Sequence, residues 1–306
     1  MTNAIDILMH EIIDYAGLFP PAQLAMEPAV RNYAAYRQGN NAALLGRFVV
    51  PVARLPEFEA AASGLLPRSS DEPPWHLSAL TGPDLAADLA LIETFNARHM
   101  PGVDAGAVRI DTLETKATSA ATIRDAARII PRHIDAYFEI PIEDSPQALL
   151  TEIREVGARA KVRTGGIQPE LFPSSSALLR FIRTCVELRV PFKATAGLHH
   201  VVCGTHALTY APDSIQGTMF GFLNVFLAAA FLSTGMDEQE AAQVLTESNA
   251  RSFRFDSDGL SWRAQRLPNE TLAHVRQHVA IAFGSCSFEE PVNELKALGL
   301  LSGTAS

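Results

Sequence analysis

Two short stretches hold the residue types best suited to chemistry. The first runs from Arg159 through Lys161, Arg163, Thr164, Gly165 and Gly166; the second runs from Val190 through Lys193 and Gly197 to His199 and His200. Each puts a lysine inside an apolar, β-like run and ends in a polar, glycine-rich tip. A lysine attacks a carbonyl carbon only as the neutral amine, which desolvation or a second cation nearby maintains. Arg163, Lys193 and a protonated His199 or His200 are the cations at hand for Lys161. Two lysines crowded in one desolvated cleft are not both comfortably protonated, so at least one should titrate well below the ordinary value of about 10.4. Gly165 and Gly166 would leave backbone N–H groups open to an anionic oxygen. A small substrate bearing a carboxylate or phosphate fits this set.

The elements that must position these residues follow from the hydrophobic pattern. Ser175 to Leu188 carries apolar residues at helical spacing, so the two stretches read as a strand, helix, strand unit whose strand tips share one sheet edge. The same alternation runs through the chain. The strand candidates are Ala16 to Phe19, Gly46 to Pro51, Trp75 to Leu80, Val108 to Leu113, Ala136 to Ile140, Ala160 to Thr164 and Phe192 to Ala196, with helices between them. An eighth strand, from Ser252 to Trp262 or from Ala282 to Ser287, would close a single α/β (β/α)₈ barrel spanning residues 1–306, with N- and C-terminal extensions. The open doubly wound sheet is the runner-up, but no Gly-x-Gly-x-x-Gly turn follows the first strand. In a barrel the C-terminal strand ends carry the active site. That rim gathers Asp111, Glu114, Glu139, Lys161, Arg163, Lys193, His199 and His200.

At these residues the chain resembles class I aldolases of the deoxyribose-phosphate aldolase type. Lys161 followed by two residues and then Thr164-Gly165 is similar to that family's sixth-strand motif, and Lys193 with Gly197 is similar to its seventh-strand motif. Glu139 is similar to the fifth-strand glutamate, Asp111 to an acidic residue of the family, and Gly284, Ser285 and Ser287 to its last-strand phosphate loop. As a whole the chain also resembles a bacterial family without an assigned activity. The aldolase resemblance implies a lyase in which Lys161 forms a Schiff base, Lys193 lowers its pKa, Asp111 relays protons, and Ser285 and Ser287 contact a phosphate. It implies no cofactor.

Other readings compete. The plain one has Lys161 and Lys193 ion-paired with Asp111 and Glu139, the rim merely solvated. A metal-based one has a hydrolase or lyase with Zn or Mn on His199, His200 and His206 with Glu139, although adjacent strand residues point to opposite faces and no H-E-x-x-H spacing is present. Ser-His-Asp chemistry lacks its nucleophile elbow, and a non-catalytic binder gains nothing from reactive lysines.

Composition bounds the partners. With 306 residues, 47% hydrophobic and 19% charged, the chain can bury a full core, and a formal charge of −9 argues against nucleic acid or an anionic membrane as partner. Self-association is left open. The run from Met219 to Thr234 is short of the roughly 20 residues a membrane span needs and reads as a buried helix. Cys185, Cys203 and Cys286 form no CxxC pair, and the N-terminus has no basic and apolar leader pattern, so a reducing, cytoplasmic setting is expected.

Overall fold

The computed structural model describes residues 3–69, 71–100, 106–142 and 145–301. The chain begins with α1 (Ala4–Met9), β1 (Ile13–Tyr15), α2 (Met26–Gln38), β2 (Leu45–Pro51), α3 (Leu55–Ala62), β3 (Trp75–Leu80) and α4 (Leu85–Arg98). It continues with β4 (Val108–Lys116), α5 (Ala120–Ile129), β5 (Asp135–Glu139), α6 (Gln147–Glu155), β6 (Arg159–Arg163), α7 (Ser175–Leu188) and β7 (Phe192–Thr195). A hairpin of β8 (Gly204–Ala207) and β9 (Gln216–Met219) precedes α8 (Phe222–Ser233) and α9 (Glu238–Leu245). The antiparallel meander β10 (Phe253–Phe255), β11 (Gly259–Trp262) and β12 (Gln265–Pro268) leads to α10 (Asn269–His278), β13 (Ala280–Ser285) and α11 (Glu289–Ala297).

Eight strands, β1 to β7 and β13, close a barrel in the order β1-β13-β7-β6-β5-β4-β3-β2, and every pairing between neighbours is parallel. The fold is therefore a (β/α)₈ barrel. Its eighth strand is β13, the later of the two sequence candidates; the earlier one forms β10 and β11, outside the barrel. The first strand differs as well: it is Ile13–Tyr15 rather than Ala16 to Phe19. The chain leaves α1 through Glu11, which takes a left-handed φ of 47°, and so starts the strand earlier than the proline-marked loop suggests. No helix among the described residues is long and apolar enough to cross a membrane.

The β6-α7-β7 unit shows how sequence places the site. Ser174 caps α7 by accepting a hydrogen bond from the Ala177 N–H at 3.1 Å, and Leu178, Phe181, Ile182 and Cys185 form its buried face, the i, i+3, i+4, i+7 spacing of a helix packed on a sheet. Phe192 on β7 meets Phe181 edge-on, with ring centroids 5.6 Å apart. Because strand side chains alternate, packing Phe192 and Ala194 outward turns Lys193 and Thr195 inward, just as Ala160 and Val162 turn Lys161 and Arg163 inward. Lys161 and Lys193 are paired in register across the two strands.

Helix α8 is apolar all round and is buried along Phe222–Phe231. Its single amide, Asn224, is fully used. The side chain donates to the carbonyls of Val244 at 2.7 Å and Glu247 at 2.8 Å and accepts from the Cys203 N–H at 2.8 Å, tying α8 to the end of α9 and to the loop after β7.

Candidate active site

The strand tips surround a cavity of about 320 Å³ whose floor carries Glu114, Lys161 and Lys193, with Arg163 and His199 along its wall. Glu114 lies between the two lysines: one carboxylate oxygen is 2.7 Å from Lys161 Nζ and the other 2.6 Å from Lys193 Nζ. Ser78 Oγ donates to the second of these oxygens at 2.6 Å. Lys193 Nζ also reaches Asp14 Oδ2 at 2.5 Å, and Asp14 Oδ1 accepts the Arg47 N–H at 2.8 Å. Lys161 Nζ has a second partner in Glu139 Oε2 at 2.8 Å, whose other oxygen is 3.7 Å from Arg163 Nε. Lys161, Lys193 and Arg163 thus face Asp14, Glu114 and Glu139, and the six charges balance.

The electrostatics follow from burial and pairing. Burial alone would raise the Glu114 carboxyl, but Lys161 and Lys193 outweigh it and hold the group well below the ordinary carboxylate range. Glu139 is likewise held down, its burial overcome chiefly by Lys161. Burial works against the Lys193 ammonium, yet Asp14 and Glu114 keep its pKa above the usual lysine value. For Lys193 this reverses the expectation that crowding would favour the neutral amine, because carboxylates stand between the two ammonium groups.

Two predicted partners change places. Asp111 does not reach the lysines: its carboxylate takes Arg47 Nε at 2.7 Å and His76 Nδ1 at 2.7 Å. Despite its burial, these two partners and their charges keep Asp111 well below its ordinary pKa. The cause is a bulge in β4. Leu77 pairs with Ile110 and Ser78 with Thr112, so Asp111 is the extra residue, and beyond it the alternation is reset. Glu114, two residues past Thr112, therefore projects inward and takes the place between the lysines.

The glycine-rich tips serve packing more than ligand access. A Cβ on Gly165 would sit 2.4 Å from the Phe172 ring and 2.9 Å from Gly197 Cα, so Gly165 is closed in, whereas Gly166 does line the cavity. Thr164 Oγ1 donates to the Ala196 carbonyl at 2.5 Å, and Ala196 and Gly197 both take left-handed φ values, 60° and 74°. Thr164, Gly165 and Gly197 clasp the ends of β6 and β7 and so fix the lysines relative to each other. Gly165→Ala is expected to cost about 1–3 kcal/mol of stability through overpacking, read as a lower denaturant midpoint.

The remaining candidates fall around the rim. His199 lines the cavity and its Nδ1 is 2.9 Å from Glu290 Oε2. His200 turns away, 3.5 Å from Glu294 and stacked on His206. Face-to-face rings do not converge their nitrogens on a common point, and Glu139 is engaged with Lys161 and Arg163. Among the described residues no group of three or more His, Cys, Asp or Glu side chains is placed to hold a metal ion, so the donor set His199, His200, His206 and Glu139 is not assembled. Ser285 and Ser287 do not line the cavity. Ser285 Oγ donates to the Ser287 carbonyl at 2.7 Å, and Ser287 Oγ accepts the Glu290 N–H at 3.1 Å.

Residue types and spacing do not point to Asp14 and Ser78, which partner Lys193 and Glu114, or to Cys286, which lines the cavity. Asp14 had a signal, a lone carboxylate inside the apolar run Ile12 to Tyr15. Comparison of the chain with protein-family models, curated proteins and solved structures finds no match, so the site has to be interpreted from its own geometry.

Proposed function

We propose that the protein is a lyase that acts on a small anionic carbonyl compound through a Schiff base on Lys161. The observation that carries this reading is the pair of buried lysines on adjacent parallel strands at the floor of one cavity, bridged by a single carboxylate, Glu114. Barrels of this architecture place their chemistry at the C-terminal rim, where this cavity opens.

Each group then has a role. Lys193, held as a cation by Asp14 and Glu114, supplies a fixed positive charge. Lys161 transfers its proton to Glu139 as the substrate displaces water, because a neutral amine and acid are favoured over an ion pair in a dry site. The amine forms a bond to the carbonyl carbon; the carbonyl oxygen takes up one proton from the amine nitrogen and one from the Glu139 acid and departs as water, leaving an iminium. A hydroxyl on the β carbon then gives its proton to the Glu139 carboxylate, the bond between the α and β carbons breaks with its electron pair drawn toward the iminium nitrogen, and the β carbon leaves as an aldehyde or ketone; the enamine takes a proton at the α carbon, and water hydrolyses the iminium to release the second product and Lys161. Glu114, in contact with both lysines, is placed to carry protons between these steps. Arg163, Gly166 and His199 receive the anionic group.

The test is reductive trapping. Borohydride with a carbonyl compound should add one reduced adduct to the intact protein, by mass, whereas borohydride alone should add none. Turnover that a chelator stops, with no adduct from any carbonyl compound, would overturn the proposal.

A further inference from the structure

We infer that the preferred substrate is a 4-hydroxy-2-oxo acid with an aliphatic tail beyond the hydroxyl, not a phosphorylated sugar, the simple 2-oxo acids standing in for its carboxylate and carbonyl end in trapping. This rests on the Schiff-base reading of Lys161 and narrows it.

The position of the anionic group comes from Glu139. One carboxylate already bridges Lys161 Nζ, at 2.8 Å, and Arg163 Nε, at 3.7 Å. A carboxylate attached to the carbon bonded to Lys161 spans a comparable reach, whereas a phosphate several atoms down a sugar chain does not need Arg163 at all. Arg163 sits two residues beyond Lys161 on the same inward face of β6, and its side chain is 45% exposed, free to close a bidentate pair on an incoming carboxylate.

The usual phosphate position of such barrels is unsuited here. That position lies at the loops after the seventh and eighth strands and an adjoining helix N-terminus. In this protein α11 follows the eighth strand with Glu289 and Glu290 in its first turn and Glu294 one turn on. Glu290 faces His199, and Glu294 accepts the Val201 N–H at 2.7 Å. A dianion there would meet carboxylates, and the two serines of the loop are spent on each other and on the helix start.

The tail follows from the opposite wall. Phe19 and Pro20 from the loop after β1, Val49 from β2 and Leu80 from β3 line the cavity across from the charged β6 and β7 side. They offer no hydroxyl, amide or charge to a polyol, and burying hydrocarbon against them is favourable. A volume of about 320 Å³ is at the small end for ligand pockets, which suits a short chain.

Reductive trapping can separate the possibilities, using pyruvate, 2-oxobutanoate, 2-oxopentanoate, butanal and glyceraldehyde 3-phosphate as probes and peptide mass mapping as readout. The half-saturating concentration should fall roughly fourfold for each methylene from pyruvate to 2-oxopentanoate. Arg163→Gln should cut the preference for 2-oxopentanoate over butanal about tenfold or more. If Lys161 is labelled but glyceraldehyde 3-phosphate saturates at the lowest concentration, or if Arg163→Gln leaves the preference intact, the substrate class is wrong while the Schiff-base reading stands. If no probe labels Lys161, that reading fails and this inference with it.

Discussion

Lys193→Met is expected to destabilise the fold by about 3–5 kcal/mol at neutral pH, the range for breaking a buried ion pair from one side. The lysine side chain is 1% exposed, and Asp14 and Glu114, at 2.5 and 2.6 Å, are as deeply buried. Without the ammonium, Asp14 loses its counterion and Glu114 keeps Lys161 as its one cation, with the Ser78 hydroxyl. The pH dependence should change sign as well. In the native protein Glu114 is held below its unfolded pKa, so its contribution is present above the ordinary carboxylate range, about pH 4, and is lost as pH falls through the lowered folded value. In the variant a carboxyl left unpaired has a raised folded pKa; its contribution is present below about pH 4 and is lost as pH rises through the raised value. Denaturant titrations at pH 4, 5.5 and 7 should therefore show the native protein holding or gaining stability with pH and the variant losing it. Parallel slopes would mean that Lys193 is not the counterion of this network.

Lys161→Ala should separate activity from stability in the opposite way. Glu114 keeps Lys193 and Ser78, and Glu139 keeps Arg163, so each carboxylate retains a partner although the cluster is left with one excess negative charge, and the cost to the fold should be smaller than at Lys193. Turnover, by contrast, should fall on the order of 10³-fold or more, since no other group takes the place of a covalent nucleophile. Lys161→Arg should not restore it, because a guanidinium stays charged and forms no imine. A Lys161→Ala enzyme retaining more than a tenth of native turnover would remove Lys161 from the chemistry.

Much of the barrel was legible in the sequence because its strands alternate with strongly periodic helices. Trp75–Leu80 and Ser175–Leu188 run between the very residues that pattern predicts. The lysine pair was legible too, since a cation inside an apolar run needs a reason. What periodicity does not encode is a change of phase. The bulge at Asp111 shifts the alternation of β4 by one residue, which sends Asp111 to Arg47 and His76 and brings Glu114 between the lysines. A strand as short as Ile13–Tyr15 carries too little pattern to be found, and Asp14 was passed over with it. The motif glycines and Ser285 looked like ligand groups because their residue types suit anions; tight packing at Gly165 and hydrogen bonds within the loop at Ser285 gave them other work.

On the Schiff-base reading, Lys161 is the residue that bonds to substrate carbon. The chain makes this unusually direct to test, because it contains only four lysines, Lys116, Lys161, Lys193 and Lys296. Reductive trapping with 2-oxopentanoate, followed by proteolysis and peptide mass mapping, assigns the adduct among them and the N-terminal amine. The prediction is a single reduced adduct on the peptide containing Lys161, absent from Lys161→Ala protein. An adduct on Lys193, labelling spread evenly over the exposed amines, or no adduct at all would contradict it.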